Sequence, residues 1–210
     1  MNPAEELRRR LDQCPLIAII RGVTPDEAAE IGAALHEGGI RIIEVPLNSP
    51  QPFDSIRRLA DALGERALVG AGTVLETADV QKVRDVGGRI IVSPNTNRQV
   101  IEATVAAGLI SSPGYFTPSE AFEAIRAGAH GLKLFPAEGA SPAVVKAQKA
   151  VLPKHIPLLV VGGVKPDTMR PWLDAGADGF GLGGGLYQPG QSAEETAAKA
   201  RAYVAGLSRQ

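Results

Sequence analysis

A lysine in the middle of an apolar run is the first place in this chain where covalent chemistry is expected. Gly131-Leu132-Lys133-Leu134-Phe135-Pro136 reads as a short β-strand stopped by proline. Side chains alternate along a strand, so Leu132 and Leu134 share one face, and Lys133 and Phe135 share the other. Lysine is rarely fully buried unless it is paired or functional. Among apolar walls and near another cation it loses proton affinity, and the free amine can attack a ketone. Two plainer readings compete: an edge lysine that snorkels to water, and a lysine held in a buried ion pair.

A reactive lysine needs a scaffold, and the chain is periodic enough to supply one. Strands are predicted at Leu16 to Ile20, Ile40 to Val45, Ala67 to Ala71 and Arg89 to Ser93. Four more follow at Leu109 to Ser112, Gly131 to Phe135, Pro157 to Val161 and Gly179 to Leu182. A lead-in helix spans Ala4 to Gln13, and Thr24-Pro25-Asp26-Glu27 opens the next with a cap, a first-turn proline and a glutamate three residues on. Further helices are expected at Pro52 to Leu63, Ala78 to Val86, Arg98 to Ala107, Ser119 to Ala127, Ser141 to Val151, Pro166 to Ala175 and Ala193 to Leu207. Glycine stops them at Gly38, Gly87, Gly108, Gly128 and Gly176. Strand–helix alternation without a linker predicts an α/β chain: one (β/α)8 TIM barrel domain over residues 1–210, with a short N-terminal helix. A doubly wound open sheet is the alternative, but no Gly-x-Gly-x-x-Gly follows the first strand.

Composition narrows the partners. The 210 residues are 44% apolar with a formal net charge of −1, and both signs are interleaved, so no nucleic-acid face is expected. Cys14 is the only cysteine, which excludes an internal disulfide and fits a reducing cytoplasm. Residues 1–13 lack the apolar core of a signal peptide, and no apolar run is long enough to span a bilayer. A cytoplasmic protein is expected.

Barrel chemistry collects where strands end and βα loops begin. The residues there are Arg21, Glu44, Thr73, Pro94-Asn95, Lys133, Gly162-Gly163 and Gly183-Gly184-Gly185. Glu44 facing Lys133 would place a carboxylate beside a reactive amine, an acid/base partner; a purely structural ion pair is the alternative. Glycines after the last two strands let backbone N–H groups approach a phosphate closely, or else serve tight turns alone. His36, His130 and His155 show no metal-ligand spacing, so neither a metal nor a cofactor is expected.

Gly131 to Glu138, with Gly70-Ala71-Gly72-Thr73-Val74, Glu44-Val45 and Ser93-Pro94, resembles the class I aldolases that act on 2-keto-3-deoxy-6-phospho sugar acids. The resemblance covers nearly the whole chain. It implies a usually trimeric (β/α)8 barrel, a Schiff base on Lys133 and proton transfer by Glu44. Gluconate-type members commonly carry arginine at the position of Asn48 and threonine at that of Val161, so this chain resembles the galactonate-acting branch instead. Many relatives also have serine where Gly184 stands, which shifts phosphate holding toward backbone groups and a cation such as Arg21.

The implied reaction cleaves a phosphorylated keto-deoxy sugar acid to pyruvate and glyceraldehyde 3-phosphate. Thr73 would then donate to the pyruvyl carboxylate, and Phe135 would keep the amine dry. Arg21, Pro94, Asn48 and Val161 would line the substrate, while Gly162, Gly163, Gly183 and Gly184 would hold phosphate. The gluconate epimer or a 4-hydroxy-2-oxoglutarate is the neighbouring substrate reading. A sugar-phosphate isomerase or epimerase, or a non-catalytic phosphate-binding barrel, would use the same loops without an imine-forming lysine.

Overall fold

The computed structural model describes residues 2–208. Its strands are Leu16–Ile19 (β1), Ile42–Pro46 (β2), Leu68–Gly72 (β3), Ile90–Val92 (β4), Ile110–Ser112 (β5), Gly114–Tyr115 (β6), Leu132–Leu134 (β7), Leu158–Val161 (β8) and Gly179–Leu182 (β9). The helices are Pro3–Gln13 (α1), Pro25–Glu37 (α2), Pro52–Leu63 (α3), Thr77–Asp85 (α4), Arg98–Ala106 (α5), Pro118–Arg126 (α6), Pro142–Lys149 (α7), Arg170–Asp174 (α8) and Ala193–Gly206 (α9). Every pairing is parallel, in the order β5-β4-β3-β2-β1-β9-β8-β7-β6.

The predicted fifth strand proves longer than Leu109 to Ser112. Pro113, which has no N–H to give a neighbour, divides it into β5 and β6. The two halves remain one strand on the β7 side. His130 donates to the Ser111 carbonyl at 2.8 Å and Lys133 to the Pro113 carbonyl at 2.9 Å. That strand closes the ring, and the fold is the expected (β/α)8 barrel.

Several helix boundaries also move. The predicted helix from Pro166 to Ala175 contracts to α8, because Pro171 restricts the residue before it and lacks a donor. Its first residues form a turn instead, with Thr168 Oγ1 accepting from the Lys165 N–H at 2.9 Å. Helix α6 starts one residue earlier than Ser119, at Pro118. Thr117 caps it, and the Glu120 carboxylate accepts from the Thr117 N–H at 2.7 Å. Helix α2 stops at Gly38 as expected, and the following Gly39 takes the left-handed conformation with φ 106°.

Alternation along the strands builds two cores. Outward residues such as Leu16, Ala18, Ile43, Val45, Leu132 and Leu134 pack under the helices. Inward residues Ile17, Ile42, Leu68, Ile90, Ile110 and Leu159 fill the lower barrel together with Leu7 and Leu11 of α1. Helix α1 therefore plugs the N-terminal mouth. It is held there by Arg10, only 2% exposed, whose guanidinium donates to the Glu65 and Arg66 carbonyls and to the Glu6 carboxylate. A buried fork with each of its three nitrogens hydrogen-bonded is costly to break, since it would leave a charge without partners.

Leu7 is fully buried in that plug. Leu7→Ala should destabilise the chain by about 2–5 kcal/mol, the usual cost of an aliphatic cavity. Urea unfolding would measure it, and a loss under about 1 kcal/mol would mean that α1 is not part of the barrel core.

Candidate active site

From β2 to β7 the ring takes four steps in either direction, with β5 and β6 counted as one strand. Glu44 and Lys133 are therefore borne on diametrically opposite strands. Both point inward, because their strand neighbours Ile43, Val45, Leu132 and Leu134 belong to the outer core. Glycine makes the room: a Cβ on Gly72 would collide with the Glu44 carboxylate, and one on Gly70 with the Ile90 carbonyl.

Burial dominates the electrostatics. Glu44 is 1% exposed and Lys133 8%. Loss of water pushes the Glu44 carboxyl up to about 7, against the pull of the Lys133 and Arg21 charges. The same loss lowers the Lys133 ammonium below the usual lysine range; the Glu44 charge opposes this and the Arg21 charge adds to it. Glu44 Oε2 is buried without a hydrogen-bond partner, and no ion pair joins it to Lys133 among the described residues. A locked structural salt bridge is thus not what the geometry shows. The Lys133 Nζ lies 4.9 Å from the centre of the half-buried Phe135 ring.

Above this pair opens a cavity of about 530 Å3 at the C-terminal mouth. It brings together Arg21, Thr73, Pro94, Lys133, Phe135, Val161, Gly162, Gly163, Gly183 and Gly184. Two predicted residues lie elsewhere. Glu44 sits beneath, lining a small enclosed void with Lys133, Ser112 and Val161. Asn48 lines neither; exposed on the β2 loop, it accepts a hydrogen bond from Arg21 Nη1. Asn48 thereby orients the guanidinium, and Ser49 Oγ ties the two loops further by accepting from the Gly22 N–H at 2.9 Å.

Some site features were not foreseen. Thr73 has φ 55°, a backbone state that β-branched residues avoid, and such strain concentrates at ligand sites. Nothing in the local sequence signals it. Ser112 Oγ is buried without a partner; its inward direction follows from alternation with Ile110 in the strand already expected from Leu109 to Ser112. Glu138 lies against Gly162 and Gly163, where a Cβ on Gly163 would come within 3.1 Å of its Cγ. Lys165 lines the same end of the cavity. Among the described residues no group of three His, Cys, Asp or Glu side chains is arranged to hold a metal ion.

An amine of lowered proton affinity, a carboxyl titrating near neutrality and a cation lining the cavity can together form an imine and move protons beside it. Known proteins are similar to this chain in sequence and fold. The 2-dehydro-3-deoxy-6-phosphogalactonate aldolase of Escherichia coli (strain K12) is 49% identical over 191 residues, 90% of this chain and 93% of that protein. The KHG/KDPG aldolase of the same strain is 30% identical over 161 residues, 76% of this chain and 74% of that protein. The solved native KDPGal structure matches with a TM-score of 0.91 and 47% identity, covering 93% of this chain and 95% of its own. The family model of the KDPG and KHG aldolases spans residues 7–199. The chain belongs to the KDPG and KHG aldolase family.

Proposed function

We propose that this single-domain barrel reversibly cleaves 2-dehydro-3-deoxy-6-phosphogalactonate to pyruvate and D-glyceraldehyde 3-phosphate through a Schiff base. The observation that carries the reading is a lysine of lowered proton affinity facing a buried carboxyl beneath a cavity edged with glycine. The Lys133 amine attacks the C2 ketone; a C–N bond forms, water leaves, and an iminium results. Glu44, directly or through a water, takes the proton of the C4 hydroxyl. The C3–C4 bond breaks, the aldehyde departs, and the electron pair moves into the iminium to give an enamine. Protonation at C3 and hydrolysis release pyruvate and restore the amine.

Arg21 serves the charged end of the ligand; its charge helps to lower the Lys133 ammonium and restrains the burial-driven rise of the Glu44 carboxyl. Thr73 donates to the pyruvyl carboxylate, Pro94 and Phe135 wall the amine from water, and Gly162, Gly163, Gly183 and Gly184 offer backbone N–H groups to the phosphate. The galactonate epimer is favoured by the higher identity to the relative of that name and by Val161, 6% exposed, on the cavity wall. The enzyme acts in the cytoplasm as a homotrimer, a reading supported by the family resemblance and by exposed apolar side chains such as Phe116 and Val144. No helix among the described residues is long and apolar enough to cross a membrane.

Pyruvate with borohydride should inactivate the enzyme and leave a stable mass adduct on the peptide carrying Lys133. An adduct on another lysine, or none in an active preparation, overturns the imine mechanism.

Glu44 must be ionised to accept a proton, and its folded value lies near 7. Activity should therefore rise as pH increases through about 7, because the base form appears there. Glu44→Gln should lower turnover by about 10²–10⁴-fold and remove that ascending limb from the kcat profile. A folded variant with near-normal turnover would return Glu44 to a structural role.

Valine at 161 cannot hydrogen-bond a hydroxyl at C4, whereas threonine of similar volume can. Val161→Thr should move the galactonate-to-gluconate ratio of kcat/KM toward the gluconate epimer, by the worth of one hydrogen bond, about 0.5–1.5 kcal/mol. The single variant is preferred, since Asn48→Arg would set a second guanidinium against Arg21. A native enzyme that prefers the gluconate epimer refutes the substrate assignment while leaving the chemistry intact.

A further inference from the structure

The glycine end of the cavity presents an electrostatic problem. The phosphate placed there carries two negative charges, yet the Glu138 carboxylate lies against Gly162 and Gly163. Glycines at 183 and 184 contribute no side chain, and a Cβ at either would meet open space. Amide groups alone would have to hold a dianion beside a carboxylate. Arg21 is bonded to Asn48 and acts electrostatically on the Lys133–Glu44 pair, so its charge belongs to the reacting end.

Lys165 remains. It lines the cavity on the loop that follows β8, together with Gly162 and Gly163. Its charge is not among those acting on Lys133 or Glu44, which sets it apart from the reacting carbon. Its ammonium forms no ion pair and no side-chain hydrogen bond among the described residues, unlike the paired Lys82, Lys149 and Lys199. Its backbone, by contrast, is fixed on both sides. Tyr203 of α9 donates its hydroxyl to the Val164 carbonyl at 3.0 Å. Thr168 Oγ1 accepts from the Lys165 N–H at 2.9 Å and donates to the Lys165 carbonyl at 3.1 Å. Tyr203 also occupies the space that a side chain on Gly185 would need, so one buried residue braces both glycine loops. An anchored backbone at the edge of a cavity, carrying an unengaged cation, is suited to an anion.

We infer that Lys165 is a phosphate-binding residue, closing on the terminal phosphate of the sugar acid and of the aldehyde product from the side opposite the reacting carbon. The inference rests on the aldolase reading above and adds the cation that the glycine loops lack. It also explains how the site can do without a hydroxyl at position 184.

The test uses the addition direction, with pyruvate and either D-glyceraldehyde 3-phosphate or unphosphorylated D-glyceraldehyde as acceptor. Lys165→Gln should lower the ratio of kcat/KM for the phosphorylated over the unphosphorylated acceptor by about tenfold, chiefly through KM. Lys165→Arg should recover most of the ratio. Competitive inhibition by inorganic phosphate should weaken in the glutamine variant in the same proportion. An unchanged ratio in Lys165→Gln, or an equal fall with both acceptors, overturns the inference. Borohydride trapping of pyruvate on Lys133 is run on the native enzyme and the variant alike. Its failure in the native enzyme would sink the aldolase reading itself, whereas trapping in both with an unchanged ratio sinks only the role of Lys165.

Discussion

Removing water from two opposite charges inside one barrel is the condition on which the site turns. Neither Glu44 nor Lys133 is paid back by a direct ion pair, so each keeps part of its desolvation cost as an altered proton affinity. That cost must be met by the surrounding fold. The lower barrel does so with a closed aliphatic layer, sealed by Leu7 and Leu11 of α1 and clamped by Arg10. The upper barrel spends its inward positions differently, placing glycine at 72, where a side chain would collide with the Glu44 carboxylate, and at 181, which lines the void shared by Glu44 and Lys133.

This vertical division explains why the two mouths differ. Inward aliphatic residues at the N-terminal end contribute roughly 1.5–3 kcal/mol each by burial. Inward glycines at the C-terminal end give up that contribution and add backbone entropy to the unfolded chain. The plug helix lets the barrel carry the deficit, because it buries two further leucines under the layer that supports Glu44 and Lys133.

Much of this was legible in the sequence because it depends on short-range rules. Alternation alone turned Lys133 and Val161 inward, and the cap residues Thr24 and Glu27 marked the start of α2, where Glu27 Oε1 accepts from the Thr24 N–H at 2.9 Å. What escaped depends on contacts between distant segments. The fifth strand is expected to end at Ser112, yet the next carbonyl, that of Pro113, pairs with β7 and closes the ring. Asn48 looked like a ligand contact because it follows β2, but its amide oxygen is engaged by Arg21 from the neighbouring loop. The positive φ of Thr73 has no local signature, since it is imposed by the loop around it. Tyr203 lies far along the chain from the loop that it fixes, and no motif links α9 to β8.

The dependence between α9 and the cavity adds a last step. Tyr203 is 3% exposed, and its hydroxyl meets the Val164 carbonyl while its ring end crowds Gly185. A side chain at 185 would push the tyrosine away and free the Val164 carbonyl, leaving a buried acceptor without its donor. Gly185 and Tyr203 are therefore one device, and either residue makes structural sense only with the other. The glycine that a motif search reads as a phosphate loop is, at this position, also the seat of a brace. Glycine runs at the mouth of a barrel can thus record two constraints at once: approach of a ligand from inside, and approach of a side chain from the helical layer outside.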